Sequence, residues 1–279
     1  MQGKTVVITG GTSGIGQIAA EKLSAMGAHI VLVARDPERG EATIAKLRQL
    51  GPGNHSIHYA DLSRLSEMKR VGDEIAAAEP RIDVLINNAG AMFGHRQVTS
   101  DGLELTFALN HMSYFVLANR LYDRLRASAP SRLINTASDA HRGHKLDFSD
   151  LQSSRSYRGF TVYGRTKLCN ILHASELARR WAGSGVTANS LHPGFVNTRF
   201  GSGVTGVWGI GFAVAKLFAL TPEQGAETII HLASSEDESV VNANGLYFNK
   251  CKVATPTPEA RDAQSARRLW DESEKLAGR

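Results

Sequence analysis

Thr9-Gly10-Gly11-Thr12-Ser13-Gly14-Ile15-Gly16 separates a β-branched run, Lys4-Thr5-Val6-Val7-Ile8, from residues 17–26, where Ile18, Ala19, Lys22 and Leu23 recur at helical spacing. The unit reads as strand, glycine turn, helix. Each glycine in such a turn has a physical use: one permits backbone angles closed to other residues, another lets a diphosphate approach the main chain, and the last lets helix pack closely on strand. Backbone around Gly10, Thr12, Ser13, Gly14, Ile15 and Gly16 would then face phosphates, helped by the positive end of the helix dipole. A surface turn can share this pattern, so its surroundings decide.

Working outward, β-type runs at 28–33, 55–60, 83–86, 132–136, 186–191 and 245–248 alternate with helical patterns at 37–50, 65–78, 103–125, 161–181 and 222–233. A charged amphipathic helix at 259–276 would dock through Leu269 and Trp270. Such alternation predicts a parallel sheet with helices on both faces and right-handed crossovers. The expected fold is α/β, a single doubly wound Rossmann domain over residues 1–279 with a seven-stranded parallel sheet. With 42% hydrophobic residues the chain can bury a substantial core.

The 32 basic residues are spread among 27 acidic ones, with no long basic run and no aromatic-interleaved motif. This describes a solvated surface and argues against nucleic-acid binding. Cys169 and Cys251 form neither a metal spacing nor a disulfide framework, which suits a reducing cytoplasm. The first strand begins at about Lys4 and no stretch has the apolar length of a membrane span, so a soluble, cytoplasmic protein is expected.

In an open parallel sheet the ligand lies beyond the carboxyl ends of the strands, where strand order reverses. Past the second strand a carboxylate would hold a free ribose 2′-hydroxyl, whereas an arginine accommodates a 2′-phosphate. Here Ala34 is followed by Arg35, which points to NADP, although Arg35 also reads as a surface arginine beside Asp36. Asp61-Leu62 follows the third strand, placed to meet adenine, and Asn87-Asn88-Ala89-Gly90 ends the fourth. Asn87, Ala89 and Gly90 would lie near ribose and nicotinamide, though the same letters make a plain turn. Tyr163 and Lys167 share one helical face, and a neighbouring ammonium favours the phenolate of an acid/base tyrosine. Ser138 closes the fifth strand at the same sheet edge, or serves only as a cap. Asn110 is an unfavourable helix-interior residue unless it bonds something specific.

The order of Thr-Gly-x-x-x-Gly-Ile-Gly at 9–16, Asn-Asn-Ala-Gly at 87–90, Asn110, Ser138, Tyr163-x-x-x-Lys167 and Pro193-Gly194 resembles the short-chain dehydrogenase/reductase family over nearly the whole chain. The resemblance implies a tetrad of Asn110, Ser138, Tyr163 and Lys167. Tyr163 would exchange the proton and Ser138 hold the substrate oxygen, while Lys167 would bind the nicotinamide ribose and depress the tyrosine pKa. Asn110 would support a water leading to Lys167, and the segment after Pro193-Gly194 would hold the carboxamide through Val196 and Thr198. Asp139-Ala140-His141, Leu191-His192-Pro193-Gly194, Thr221-Pro222-Glu223-Gln224-Gly225 and Arg267-Arg268-Leu269-Trp270 look like the retinol dehydrogenase group. Protochlorophyllide reductases are similar too, but carry cysteine where this chain has Phe195.

Residues 195–220 combine Phe195, Phe200 and Trp208 with other apolar side chains and several glycines, as expected of a mobile lid over an apolar substrate; the same residues could instead cover core or a subunit contact. The expected activity is NADP(H)-dependent interconversion of an apolar aldehyde or ketone and its alcohol, with no metal. The alternative is a catalytically silent NADP-sensing protein of the same fold. The two long helices could pair copies of the chain across a dyad, giving a homo-oligomer.

Overall fold

The computed structural model describes residues 1–196 and 220–278. Eight strands form one sheet: β1 (Thr5–Thr9), β2 (His29–Ala34), β3 (Ser56–Tyr59), β4 (Val84–Asn87), β5 (Ser131–Thr136), β6 (Val186–His192), β7 (Tyr247–Asn249) and β8 (Lys252–Ala254). Their order is β3-β2-β1-β4-β5-β6-β7-β8. The chain therefore reverses its direction of travel across the sheet between β1 and β4, and a crevice opens there beyond the strand ends.

The sheet corrects the expectation of seven strands. β1 to β7 pair in parallel, but β8 adds an antiparallel edge through a tight turn at Lys250 and Cys251, both with positive φ (49° and 60°). Turns of this kind favour Asn and Gly. Lys-Cys carries no such signal, and a three-residue strand is too short to show alternation.

Helices cover both faces because successive strand side chains point opposite ways. Val6, Ile8, Ile30 and Leu32 pack with α1 (Gly14–Ala25), α2 (Pro37–Leu50) and α6 (Pro222–Ser234). Val7, Val31 and Val33 face the other way, toward α3 (Leu65–Ala78), α4 (residues 105–127), α5 (Gly159–Arg180) and α7 (Ala263–Leu276). Leu269 and Trp270 of α7 are buried there, as their spacing predicts. The expected long helix at 103–125 exists as α4 but contains a π-helical turn, Ala108–Met112, with Asn110 at its centre.

Candidate active site

The turn after β1 and the turn after β4 are tied together. Asn88 Nδ2 donates to the carbonyls of Thr9 (3.1 Å) and Gly10 (3.3 Å), while Thr9 Oγ1 accepts from the N–H groups of Asn88 (2.9 Å) and Ala89 (3.0 Å). This close approach explains two glycines. A Cβ on Gly10, whose φ is +67°, would lie 2.9 Å from Ala89 Cα, and one on Gly16 would lie 2.4 Å from both Asn88 Nδ2 and the Gly10 carbonyl oxygen. α1 starts at Gly14 with no side-chain cap from Ser13 and no acidic residue in its first turn. Its positive end therefore receives no capping side chain from Ser13 and no carboxylate from its own first turn. Thr9 and Asn88 are absent from the sequence-derived set; the doubled asparagine was the available signal. Asn87 itself turns its side chain into the core, donating to Asn135 Oδ1 at 3.1 Å.

Past β2, Arg35 is exposed and makes no ion pair among the described residues. Asp36 does not neutralise it, because one carboxylate oxygen caps α2 through the Arg39 N–H (3.1 Å) and the other faces Arg39 Nε (3.6 Å). Asp61 bonds the N–H and hydroxyl of Ser63 (3.1 and 2.8 Å), and Leu62 is buried in the core.

The four side chains of the expected tetrad converge at the carboxyl edge of β4 and β5. Asn110 is held by the turn after β4: Oδ1 accepts the Ala91 N–H at 2.8 Å, and Nδ2 donates to the Ala91 carbonyl at 2.9 Å and to Thr166 Oγ1 at 3.0 Å. The π-turn lets this buried carboxamide face the loop instead of its own helix. Gly90 fills the space between Asn110 and Lys167, where a Cβ would meet Asn110 Oδ1 at 3.1 Å and Lys167 Nζ at 3.5 Å. Lys167 is buried and donates to the Thr136 carbonyl at 3.0 Å. Its Nζ stands 5.4 Å from the Tyr163 ring centroid and 5.9 Å from that of Tyr114. Burial lowers the Lys167 pKa to about 7. Ser138 Oγ accepts the Ala140 N–H at 3.1 Å, and the Ser138 side chain pulls the Tyr163 pKa downward. Burial nevertheless pushes the Tyr163 phenol well above its ordinary value, against the opposing pull of Ser138. In the protein alone, burial thus outweighs Ser138, and the phenol is held protonated.

The fourth wall comes from the end of β6. Pro193 and Gly194 (φ +88°) lead to Val196, whose bridge to Leu220, with the bond from the Leu220 N–H to the Phe195 carbonyl (2.7 Å), rejoins the ends of the 195–220 stretch. Val196 packs beside Ile15 against Gly225 near the start of α6. Phe195 is 46% exposed. Thr198, Phe200 and Trp208 lie outside the described residues. Among the described residues no helix is long and apolar enough to cross a membrane, and no group of His, Cys, Asp and Glu could hold a metal.

Comparison with known proteins agrees with this geometry. The family model for short chain dehydrogenase matches residues 4–205. Human retinol dehydrogenase 13 is 40% identical, the match covering 99% of this chain and 85% of the relative, and mouse retinol dehydrogenase 14 is 40% identical over 100% and 87%. Among solved structures, an uncharacterized protein from Mycobacterium paratuberculosis superposes with a TM-score of 0.80 at 30% identity, covering 99% of this chain and 94% of that one. The Pseudomonas aeruginosa RhlG/NADP active-site complex gives 0.71 at 26% identity, over 88% and 94%. A glycine turn at the switch point, a serine, tyrosine and lysine at one sheet edge, and matches along the whole chain together make this protein a member of the short-chain dehydrogenase/reductase family, within its retinol dehydrogenase-like group.

Proposed function

We propose that the protein is an NADP(H)-dependent oxidoreductase that interconverts an apolar aldehyde or ketone and its alcohol, with Tyr163 as acid/base. The observation that carries this reading is the convergence of Ser138, Tyr163 and Lys167, with Lys167 Nζ 5.4 Å from the phenol ring and Ser138 acting on the phenol, at the mouth of the glycine cradle. The residues fit a dinucleotide: Gly10 and Gly16 let the turns after β1 and β4 meet, where a methyl group would collide with Ala89 or Asn88, and Arg35 offers a 2′-phosphate a guanidinium with no ion pair among the described residues. The names of the retinol dehydrogenase relatives and the NADP complex of a structural neighbour support the same choices.

NADPH, when bound, supplies the hydride that reaches the carbonyl carbon. The chain's own residues handle the oxygen and its proton. Ser138 Oγ already accepts from Ala140, so its own O–H is left to donate to the carbonyl oxygen or to Tyr163. Tyr163, held protonated, gives its proton to the oxygen as negative charge develops there. Lys167, anchored on the Thr136 carbonyl, keeps two N–H donors in its protonated form for the ribose and the phenol oxygen. Asn110 fixes the Gly90-Ala91 turn against which the lysine head lies. A protonated phenol favours reduction near neutrality; alcohol oxidation requires the phenolate and accelerates as pH rises.

Residues 195–220 serve as the lid over the substrate, so Trp208→Ala raises KM for bulky carbonyls more than for small ones. Equal effects on both would remove the lid from the account. The deciding assay follows NADPH absorbance with retinal, long-chain aldehydes, quinones and steroid ketones, using Tyr163→Phe as control. Turnover that disappears in the variant supports the reading; no turnover above the variant's level with any carbonyl sinks it.

A further inference from the structure

A single peptide unit beside the catalytic serine is gripped from both sides by histidines. The carbonyl of Ser138 accepts from His141 Nδ1 at 2.7 Å and from the His141 N–H at 3.1 Å, while the N–H of Asp139, the other end of the same peptide plane, donates to His192 Nδ1 at 3.2 Å. The partners fix both tautomers. Because the Thr257 N–H donates to His141 Nε2 (3.3 Å), the His141 proton sits on Nδ1. Because His192 Nδ1 is an acceptor, its proton sits on Nε2, which faces Asp139 Oδ2 at 3.6 Å. Asp139 is itself steadied by the Tyr247 hydroxyl (3.0 Å) and Arg142 Nε (3.1 Å). His192 is the last residue of β6, directly before Pro193-Gly194.

Resting on the reductase reading, we propose that His192 is a positioning residue: as a neutral imidazole it fixes the Ser138–Asp139 peptide, and with it the direction of the Ser138 hydroxyl, and it couples that peptide to the Pro193-Gly194 wall of the cofactor crevice. Protonation would place a second donor on Nδ1, facing the Asp139 N–H, and release the peptide. The charged and titratable groups around the ring are Asp139, which favours the imidazolium, and His141 and Arg142, which oppose it; Tyr247 bonds Asp139, and Glu259 acts on His141. Burial holds both histidines below the ordinary value, which keeps the peptide gripped at neutral pH. Activity is then lost on the acid side, as His192 takes up its proton.

His192→Leu removes the acceptor, whereas His192→Asn sets a carboxamide oxygen close to the Nδ1 position without a titrating proton. The test measures kcat of carbonyl reduction from about pH 5 to 8, and the NADPH dissociation constant by fluorescence, for both variants. The Leu variant should lose about 10- to 100-fold in kcat while binding NADPH within about threefold of the parent protein. The Asn variant should recover to within about fivefold, and neither should keep the acid limb of the pH profile. An unchanged kcat in the Leu variant, an acid limb retained in both, or NADPH affinity falling in step with kcat would each overturn the assignment. Imidazole ¹⁵N NMR of the parent protein needs no substrate. It should show His192 bearing its proton on Nε2 and His141 on Nδ1 at neutral pH, and a His192 that titrates at the ordinary 6.5 would overturn the proposal even if the enzyme's substrate class proves different.

Discussion

The face of the sheet under α1, α2 and α6 is built from Val6, Ile8, Ile30, Leu32 and Ile86 against alanine, leucine and isoleucine, whereas the face under α3, α4, α5 and α7 also buries Asn87, Asn135, His111, Asn170 and His173. These polar groups form a chain. Asn87 donates to Asn135; Asn135 donates to the Asn170 carbonyl (3.2 Å) and meets His173 Nδ1 (3.1 Å); His111 meets Ser273 of α7 (2.9 Å). Asn170 Nδ2 also reaches the Thr136 carbonyl (3.2 Å), the oxygen that anchors Lys167. Several atoms on this face have no hydrogen-bond partner among the described residues, including Asn87 Oδ1, His173 Nε2 and Trp270 Nε1. Burial keeps both histidines neutral, lowering His111 to about 3. One face is mainly apolar, its buried Ser24 and Thr43 hydroxyls donating to the Leu47 and Arg39 carbonyls. The other accepts costly buried polar groups to hold a lysine in place.

That contrast can be broken most strongly at the edge that holds Ser138, Tyr163 and Lys167. Tyr163→Phe should lower turnover by about 100- to 10,000-fold while NADPH binding, read by fluorescence, stays intact; a variant that still turns over at the parental rate removes Tyr163 from the chemistry. On the apolar face, Ile8→Ala should cost about 2–5 kcal/mol in chemical denaturation and leave the pH profile of the residual activity unchanged. A shifted profile would mean that the two faces are not separable.

Lys167 sharpens the contrast through pH. Its pKa is about 7 in the folded protein against 10.5 ordinarily, so between those values the unfolded chain holds a proton that the folded one lacks. Stability of the cofactor-free protein should therefore rise with pH across that window, by at most about 1.4 kcal/mol per unit from this group. Lys167→Met should flatten the rise, and an unchanged slope would show that the lysine keeps its charge on folding. The smallest effect belongs to a charge outside both cores. Arg35→Ala should weaken NADPH by about tenfold and leave NADH unaffected; equal loss for both would assign Arg35 no part in the 2′-phosphate.

Much of this arrangement was legible in the chain because its signals are local. Gly10 and Gly16 mark a close approach, Tyr163 and Lys167 share a helix face, and the strand runs of the parallel core are β-branched. What escaped depends on contacts between distant segments. Asn88 reads like any turn residue until the Thr9 and Gly10 carbonyls come within reach of its amide. Leu62 sits in the right place past β3, yet its side chain belongs to the core and leaves only backbone for a ligand. The grip of His141 and His192 on one peptide requires β5, β6 and the stretch before α7 to meet, and no spacing within the chain announces that.

The π-turn at Ala108–Met112 has a further, evolutionary meaning. Such a turn absorbs one inserted residue while the helix on either side keeps its facing, so Phe107 before it and Phe115 after it both remain in the core. Deleting a single residue there would restore an ordinary helix, preserve its packing, and withdraw the Asn110 carboxamide from Ala91. In genetic terms, one codon separates this fold with Asn110 bonded to Ala91 from the same fold without that bond.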